Sequence, residues 1–128
     1  MKLIRGMMRI YLAPEDLDKT VVFYESLFGQ ECDMRFKYEE AGLELASVGL
    51  VLLIAGRKGR LRPFRETLAT FLVDSLDSFR KRLLEVGADI LEEPKVVLTG
   101  RSMRARHPDG VVIEYVEHTN KSDEASVQ

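Results

Sequence analysis

An internal repeat constrains the fold of this chain more than any other feature of its sequence. Residues 9–18 (RIYLAPEDLD) align with residues 68–77 (LATFLVDSLD), and each copy runs from an apolar stretch into a Leu-Asp pair. The apolar stretch has the composition of a strand, and the Leu-Asp pair opens an amphipathic helical pattern. Such self-similarity at a fixed distance predicts two modules of similar structure.

The similarity continues beyond the two helices. Each helix is predicted to end at a glycine, Gly29 or Gly87, and three short strands are predicted after each glycine. With so few helices to serve as crossovers, the strands should be mostly antiparallel, with the helices on one face. We therefore predict an α+β fold in which two βαβββ modules, about residues 7–55 and 68–117, form a cup-shaped sheet with its helices outside. The concave side of this cup is the expected ligand site.

Two segments differ in composition from the modules. Residues 56–66 hold five cations, two glycines and a proline, and are predicted to form a basic linker. This run could bind a phosphate or an anionic ligand tail, although runs of this kind are more often solvated loops. Residues 119–128 (TNKSDEASVQ) are predicted to be a polar, flexible tail. The expected organisation is thus one domain over residues 1–118, followed by the tail.

Composition limits the class of protein. The chain has 128 residues, 45% hydrophobic and 31% charged, which favours one folded globular domain over disorder. A net charge of −2 gives no indication of a nucleic-acid partner. No apolar run is long enough for a signal peptide or a membrane span, and the single Cys32 fits a reducing compartment. We therefore expect a cytoplasmic protein that binds neither nucleic acid nor membrane.

The C-terminal hairpin predicts a carboxylate among apolar side chains. The Asp-Gly dipeptide at 109–110 is a strong turn signal, and residues 111–116 (VVIEYV) have the composition of a strand. Because side chains alternate along a strand, Glu114 shares its face with Val112 and Val116. A buried carboxylate is costly unless a cation, a metal or a proton accompanies it. Glu114 is therefore the candidate catalytic residue.

Three motifs occur in order along the chain: DLDKTVVFY at 16–24 followed by LFG at 27–29, VDSLD at 73–77 and HPDGVVIE at 107–114. With these motifs the chain resembles, over about residues 7–117, the vicinal oxygen chelate superfamily. This superfamily includes glyoxalase I, bleomycin-resistance proteins, fosfomycin-resistance enzymes, methylmalonyl-CoA epimerase and extradiol dioxygenases. The resemblance implies the two-module fold predicted above, and also a homodimer, since single chains of this kind usually pair.

The resemblance also implies where a metal would bind. Family members that hold a metal use the first and last strands of each module, and these positions fall on Arg9, Leu53, Leu68 and Glu114. Of these side chains only the carboxylate suits a metal, because arginine stays protonated and offers no lone pair. A catalytic site needs about three protein ligands. We therefore predict no metal and no other cofactor, and we expect His107 and His118 to be exposed.

In the family register Arg9 and Glu114 occupy adjacent corners of this site. We predict that the guanidinium replaces the charge of the missing cation and pairs with the carboxylate. The pair could be a core salt bridge alone, or Arg9 could also anchor an acidic or polar ligand. Tyr11 shares the face of Arg9 and could contact the ligand by stacking or by its hydroxyl. The other predicted ligand-binding residues are Leu53, Leu68 and Arg104.

Three functions are compatible with these residues. The first is a metal-free protein that binds a small molecule, such as a drug or an anionic metabolite, and sequesters it as the bleomycin-resistance branch does. The second is an enzyme, a glyoxalase-type lyase or isomerase or a dioxygenase-like protein, in which Glu114 is a metal ligand or a base. A third alternative is a partner-binding module without a small ligand.

Overall fold

The computed structural model describes residues 1–119, which form two compact units that we call the first and second modules. The first module is residues 7–66, and the second comprises residues 1–6 and 67–119. Both have the order βαβββ, so the predicted α+β fold is confirmed. Of the predicted tail, only Thr119 is among the described residues, and residues 120–128 lie outside them.

The first module contains four strands and one long helix, in the sheet order β2-β3-β4-β1. The first strand pairs in parallel with the last, and the other neighbours are antiparallel. The helix ends at Gly29, whose φ of 64° is a left-handed conformation that suits glycine. The elements are β1 (Leu3–Leu12, of which residues 7–12 belong to this module), α1 (Leu17–Phe28), β2 (Met34–Tyr38), β3 (Leu43–Val48) and β4 (Val51–Gly56).

The second module repeats this arrangement in the order β5-β8-β7-β6, with β5 and β8 parallel. Ser75 caps the N-terminus of its helix, and the Ser75 hydroxyl accepts a hydrogen bond from the amide of Ser78 at 3.2 Å. No helix within residues 1–119 combines the length and the apolar character that crossing a bilayer requires. The elements are β5 (Thr67–Val73), α3 (Leu76–Glu85), β6 (Asp89–Val97), β7 (Gly100–Arg106) and β8 (Val112–His118).

Each long helix covers one face of its own sheet. In the first module Leu17 and Val21 of α1 pack with Ala46, Val48 and Leu53 of the strands. In the second module α3 is held in the same way by buried leucines and by apolar residues of β5, β7 and β8. The opposite face of each sheet is not covered by its long helix. The polar side chains of the candidate site project from this face.

The linker is more ordered than the sequence predicts. It was expected to be a loop, but it contains a short helix, α2 (Lys58–Leu61), and a 3-10 turn, Arg62–Phe64. Leu61 is only 2% exposed and packs on the sheet face opposite α1. The burial of this one apolar side chain fixes the segment to the first module.

Candidate functional site

Arg9 and Tyr11 lie on the sheet face opposite α1. Alternation along β1 directs both side chains to this face, and the parallel register sets Arg9 beside Leu52 and Tyr11 beside Ile54. Leu52 and Ile54 belong to the apolar cluster that also holds Leu61 and the ring of Tyr11. The polar ends of Arg9 and Tyr11 therefore emerge from an apolar floor, which is the usual composition of a small-molecule site.

The hydroxyl of Tyr11 holds two groups at once. It accepts a hydrogen bond from Nη1 of Arg9 at 3.2 Å and donates a short hydrogen bond to the backbone carbonyl oxygen of Phe64. The guanidinium carbon of Arg65 lies 5.7 Å from the centre of the Tyr11 ring, within cation–π distance. The structure thus brings two guanidinium groups and a phenol together, and it fixes the linker to this cluster.

Leu53 does not share this face, and its assignment to the ligand-binding surface is wrong. It is fully buried and packs against Leu17 and Val21 of α1. The residue beside Arg9 in the sheet is Leu52. The physical reason is that a shift of one residue in a strand moves a side chain to the opposite face.

Glu114 occupies the middle of the second module's sheet. Its strand lies between β5 and β7, and the register sets it beside Thr70 on one side and Arg104 on the other. Oγ1 of Thr70 donates to Oε1 of Glu114 at 3.4 Å, a weak hydrogen bond. The carboxylate is half-buried, and Val112 and Val116 on the same face are buried, as the alternation of the sequence predicted.

Arg104 is engaged within the second module. Its Nε donates to Oε1 of Glu92 at 2.6 Å, and its Nη1 donates to Oγ1 of Thr67 at 3.4 Å. The hydrogen bond from Arg104 is the main reason that the pKa of Glu92 lies below its usual range, and Lys95 lowers it further. These contacts fix the side chain of Arg104, and its role as a ligand-binding residue stays a prediction.

Leu68 lies at an irregularity of β5. The register with β8 shifts between Thr67 and Ala69, and the Leu68 side chain is 58% exposed. An exposed leucine can contact an apolar part of a ligand, but it carries no atom that binds a metal.

The residues at the family's metal positions do not fit a divalent metal. Arg9 donates to Tyr11 and remains a cation, Leu53 is part of the core, and Leu68 is aliphatic. Among residues 1–119, no group of three or more His, Cys, Asp or Glu side chains is arranged to hold a metal ion. Glu114 is the one of these four positions with a suitable donor atom.

The two histidines were expected to be exposed, and this expectation is wrong. His107 is half-buried, and its Nε2 lies 2.6 Å from the hydroxyl of Tyr115. His118 is 7% exposed. Burial raises the pKa of Tyr115 to about 12, so this phenol stays protonated at neutral pH.

Sequence reasoning missed Thr70 and Arg65 as neighbours of the predicted site residues. Thr70 follows Leu68 by two positions, so the period of two in a strand could have placed it near Glu114. Arg65 reaches Tyr11 through the packing of the linker, for which no local pattern gives a signal.

A surface depression of about 550 Å³ lies elsewhere, at the C-terminal end of α1. It is lined by Glu25, Gln30 and Cys32 among others, and it includes none of the predicted site residues. The amide of Cys32 donates to Glu25 at 2.7 Å and its thiol to the carbonyl of Met34 at 3.4 Å. We assign no function to this depression.

Comparisons with known proteins give one informative sequence match and a consistent fold. No model of a protein family matches the sequence. The chain is 29% identical over 117 residues to the metallothiol transferase FosB of Shouchella clausii (strain KSM-K16), covering 88% of this chain and 80% of that protein.

Solved structures extend the comparison. A hypothetical protein from Methanosarcina mazei is 50% identical, with coverage of 93% of this chain and 95% of that one and a TM-score of 0.85. Methylmalonyl-CoA epimerase from Mycobacterium tuberculosis is 21% identical, with coverage of 94% and 91% and a TM-score of 0.68. The similarity to the epimerase supports a common fold alone.

Proposed function

The chain belongs to the vicinal oxygen chelate superfamily, and from this premise we propose that it is a metal-independent protein that binds a small organic anion. The proposed binding surface is the face of the first module that carries Arg9 and Tyr11. The sequestration of a drug or metabolite is the activity that this arrangement supports best.

One observation carries the proposal: three of the four side chains at the family's metal positions, Arg9, Leu53 and Leu68, lack the donor atoms that a metal needs. Arg9 brings a permanent positive charge to a position where the family resemblance implies a metal ligand. A fixed cation can neutralise and orient a carboxylate or phosphate group directly, by two parallel hydrogen bonds. The change therefore favours binding of an anion without a metal between protein and ligand.

The surroundings of Arg9 support a binding role. Its Nη1 is already oriented by the Tyr11 hydroxyl, which is itself held by the carbonyl of Phe64. Groups that are ordered before the ligand arrives lose less conformational entropy on binding. The apolar floor of Leu52 and Ile54 would receive the uncharged part of the ligand.

A second candidate is an enzyme with Glu114 as its general base. The similarity to FosB, which is named a transferase, favours this alternative. A half-buried carboxylate beside a hydroxyl can also accept a proton from a substrate. This candidate requires a substrate that is turned over, whereas sequestration requires a ligand that is recovered unchanged.

Metal analysis of the purified protein tests the proposal. We expect less than about 0.1 equivalents of Zn, Ni, Mn, Fe or Co after purification without chelator, and no change of Tm on adding any of them. Stoichiometric metal bound by the unmodified chain and lost in Glu114→Gln would overturn the proposal in favour of the enzyme.

A thermal-shift screen against carboxylates, phosphates and aromatic acids would identify the ligand. A ligand at a hundred times its Kd adds about 2.7 kcal/mol to the free energy of unfolding. We expect Arg9→Gln to abolish the shift while Glu114→Gln retains it. Chemical analysis of the recovered ligand then separates the two candidates, since an altered ligand would favour the enzyme.

Two further predictions concern assembly and location. We propose a homodimer, as the family resemblance implies, and light scattering after size-exclusion chromatography should give twice the mass of the chain. We also propose a cytoplasmic location, from the composition of the chain, which fractionation of the source cells would test.

A further inference from the structure

The linker carries a concentration of positive charge, most of which lies outside the proposed binding surface of Arg9 and Tyr11. Five cations lie within nine residues of a chain whose net charge is −2, namely Arg57, Lys58, Arg60, Arg62 and Arg65. All five side chains are exposed. A local excess of one sign in a protein of nearly balanced charge produces a positive potential over that part of the surface.

This basic segment has a fixed position in the first module. Leu61, in its middle, is 2% exposed and packs with Met7, Leu52 and Ile54. The carbonyl of Phe64 accepts the hydrogen bond of Tyr11, and Arg65 stacks over the same ring. The segment is thus attached, at two separate points, to the sheet face on which Arg9 lies.

The cations of the segment differ from the other arginines in their partners. Within residues 1–119, no ion pair joins any of the five to a carboxylate. By contrast, Arg35 pairs with Asp18 and Glu44, and Arg80 pairs with Glu93. Arrays of exposed like charges repel each other and gain from an external anion.

We infer that the basic segment binds the phosphate-bearing tail of the ligand whose other end is anchored by Arg9 and Tyr11. The inference deepens the proposed function and depends on it for the first anchor. Recognition would occur through guanidinium side chains, which match phosphate oxygens with paired donors. The segment lacks the glycine spacing of a phosphate-binding loop, so its backbone is not the expected contact.

Inorganic pyrophosphate is the probe, measured by isothermal titration calorimetry on the full chain. We expect Arg57→Gln, Lys58→Gln and Arg62→Gln together to weaken its binding about tenfold or more. Arg65 and Arg60 are left intact, because Arg65 contacts Tyr11 and the stem of Arg60 packs over Gly42. Raising the salt concentration should weaken binding to the unmodified chain and have less effect on the triple variant.

A control of equal charge change comes from exposed cations elsewhere. The control variant removes three positive charges, as the first triple variant does, but from β2 and α3. Its substitutions are Lys37→Gln, Lys81→Gln and Arg82→Gln. We expect this variant to bind pyrophosphate within about twofold of the unmodified chain. Equal weakening in both triple variants, or no binding by the unmodified chain, would overturn the inference.

Arg9→Gln separates this inference from the proposed function. Pyrophosphate binding that survives Arg9→Gln but not the triple substitution supports the basic segment as a site in its own right. Binding that survives the triple substitution but not Arg9→Gln overturns the inference and leaves the proposed function standing. Circular dichroism spectra that match the unmodified chain confirm that each variant is folded.

Discussion

The guanidinium of Arg104 and the carboxylate of Glu92 are joined across β7 and β6 by a hydrogen bond of 2.6 Å. The same guanidinium contacts Thr67, so one side chain connects β6, β7 and β5. Both partners are accessible to water, with side chains 22% and 39% exposed for Arg104 and Glu92. The contact therefore orders the sheet edge more than it stabilises the fold.

The lowered pKa of Glu92 predicts a pH-dependent contribution to stability. Its folded pKa is below the unfolded value of 4.5, so the contribution is present above about pH 4.5 and is lost as pH falls through the folded pKa. Glu92→Gln should lower the free energy of unfolding by no more than about 1 kcal/mol at pH 7, and by less at pH 3. Urea unfolding at both pH values measures the change in the free energy of unfolding, and Glu40→Gln, at an exposed position, is the control. A destabilisation by Glu92→Gln that is larger at pH 3 than at pH 7 would contradict the prediction.

Tyr11→Phe should loosen the linker. The change removes the hydroxyl that donates to the carbonyl of Phe64 and accepts from Arg9, at a cost of about 0.5–1.5 kcal/mol. Hydrogen exchange of the amides in residues 57–66 should become faster, while exchange in α1 is unchanged. Tyr38→Phe, on the exposed β2 edge, is the matched control and should leave both regions as they are. Unaltered exchange in Tyr11→Phe would show that the hydroxyl does not hold the linker.

Truncation of the two leucines predicted to bind the ligand should change the free energy of unfolding by very different amounts. Leu53→Ala removes a fully buried side chain and should lower the free energy of unfolding by about 2–5 kcal/mol. Leu68→Ala removes one that is 58% exposed, and the change should stay within about 0.5 kcal/mol. Thermal and chemical unfolding measure both. A large loss for Leu68→Ala would mean that this side chain is covered in solution.

The pairing of Arg9 with Glu114 stays a prediction from the family resemblance, and a double-mutant cycle tests it. If the two charges interact, Arg9→Met and Glu114→Gln together should differ from the sum of the single changes by about 0.5–3 kcal/mol in the free energy of unfolding. If the two single changes in the free energy of unfolding simply add, Arg9 and Glu114 do not interact, and the predicted pairing is wrong. The ligand shift measured on the same variants tells whether Arg9 has a binding role as well.

The fold was predictable because the repeat supplied the order of elements twice. On β8, the sequence alternation showed which side chains share a face of the sheet. It placed Glu114 correctly on the face of Val112 and Val116. In such a strand the sequence pattern and the burial pattern carry the same information.

Leu53 was misplaced because its strand gives no such signal. All six residues of β4 are apolar and buried, so neither face is distinguished and a slip by one residue leaves the pattern unchanged. The packing of the linker on the sheet was missed for a different reason. Its composition indicates a loop, and the hydrogen bond from Tyr11 to Phe64 spans 53 positions, which no local pattern reveals.

The parallel pairing of each module's first and last strands has a consequence for biosynthesis. Thr70 meets Glu114 across 44 positions of the chain, so this edge of β5 has no partner until translation has passed β8. Contacts this distant along the chain slow folding, and open strand edges invite aggregation. Overexpression at low temperature, or with a chaperone that shields nascent strands, should therefore raise the yield of native protein.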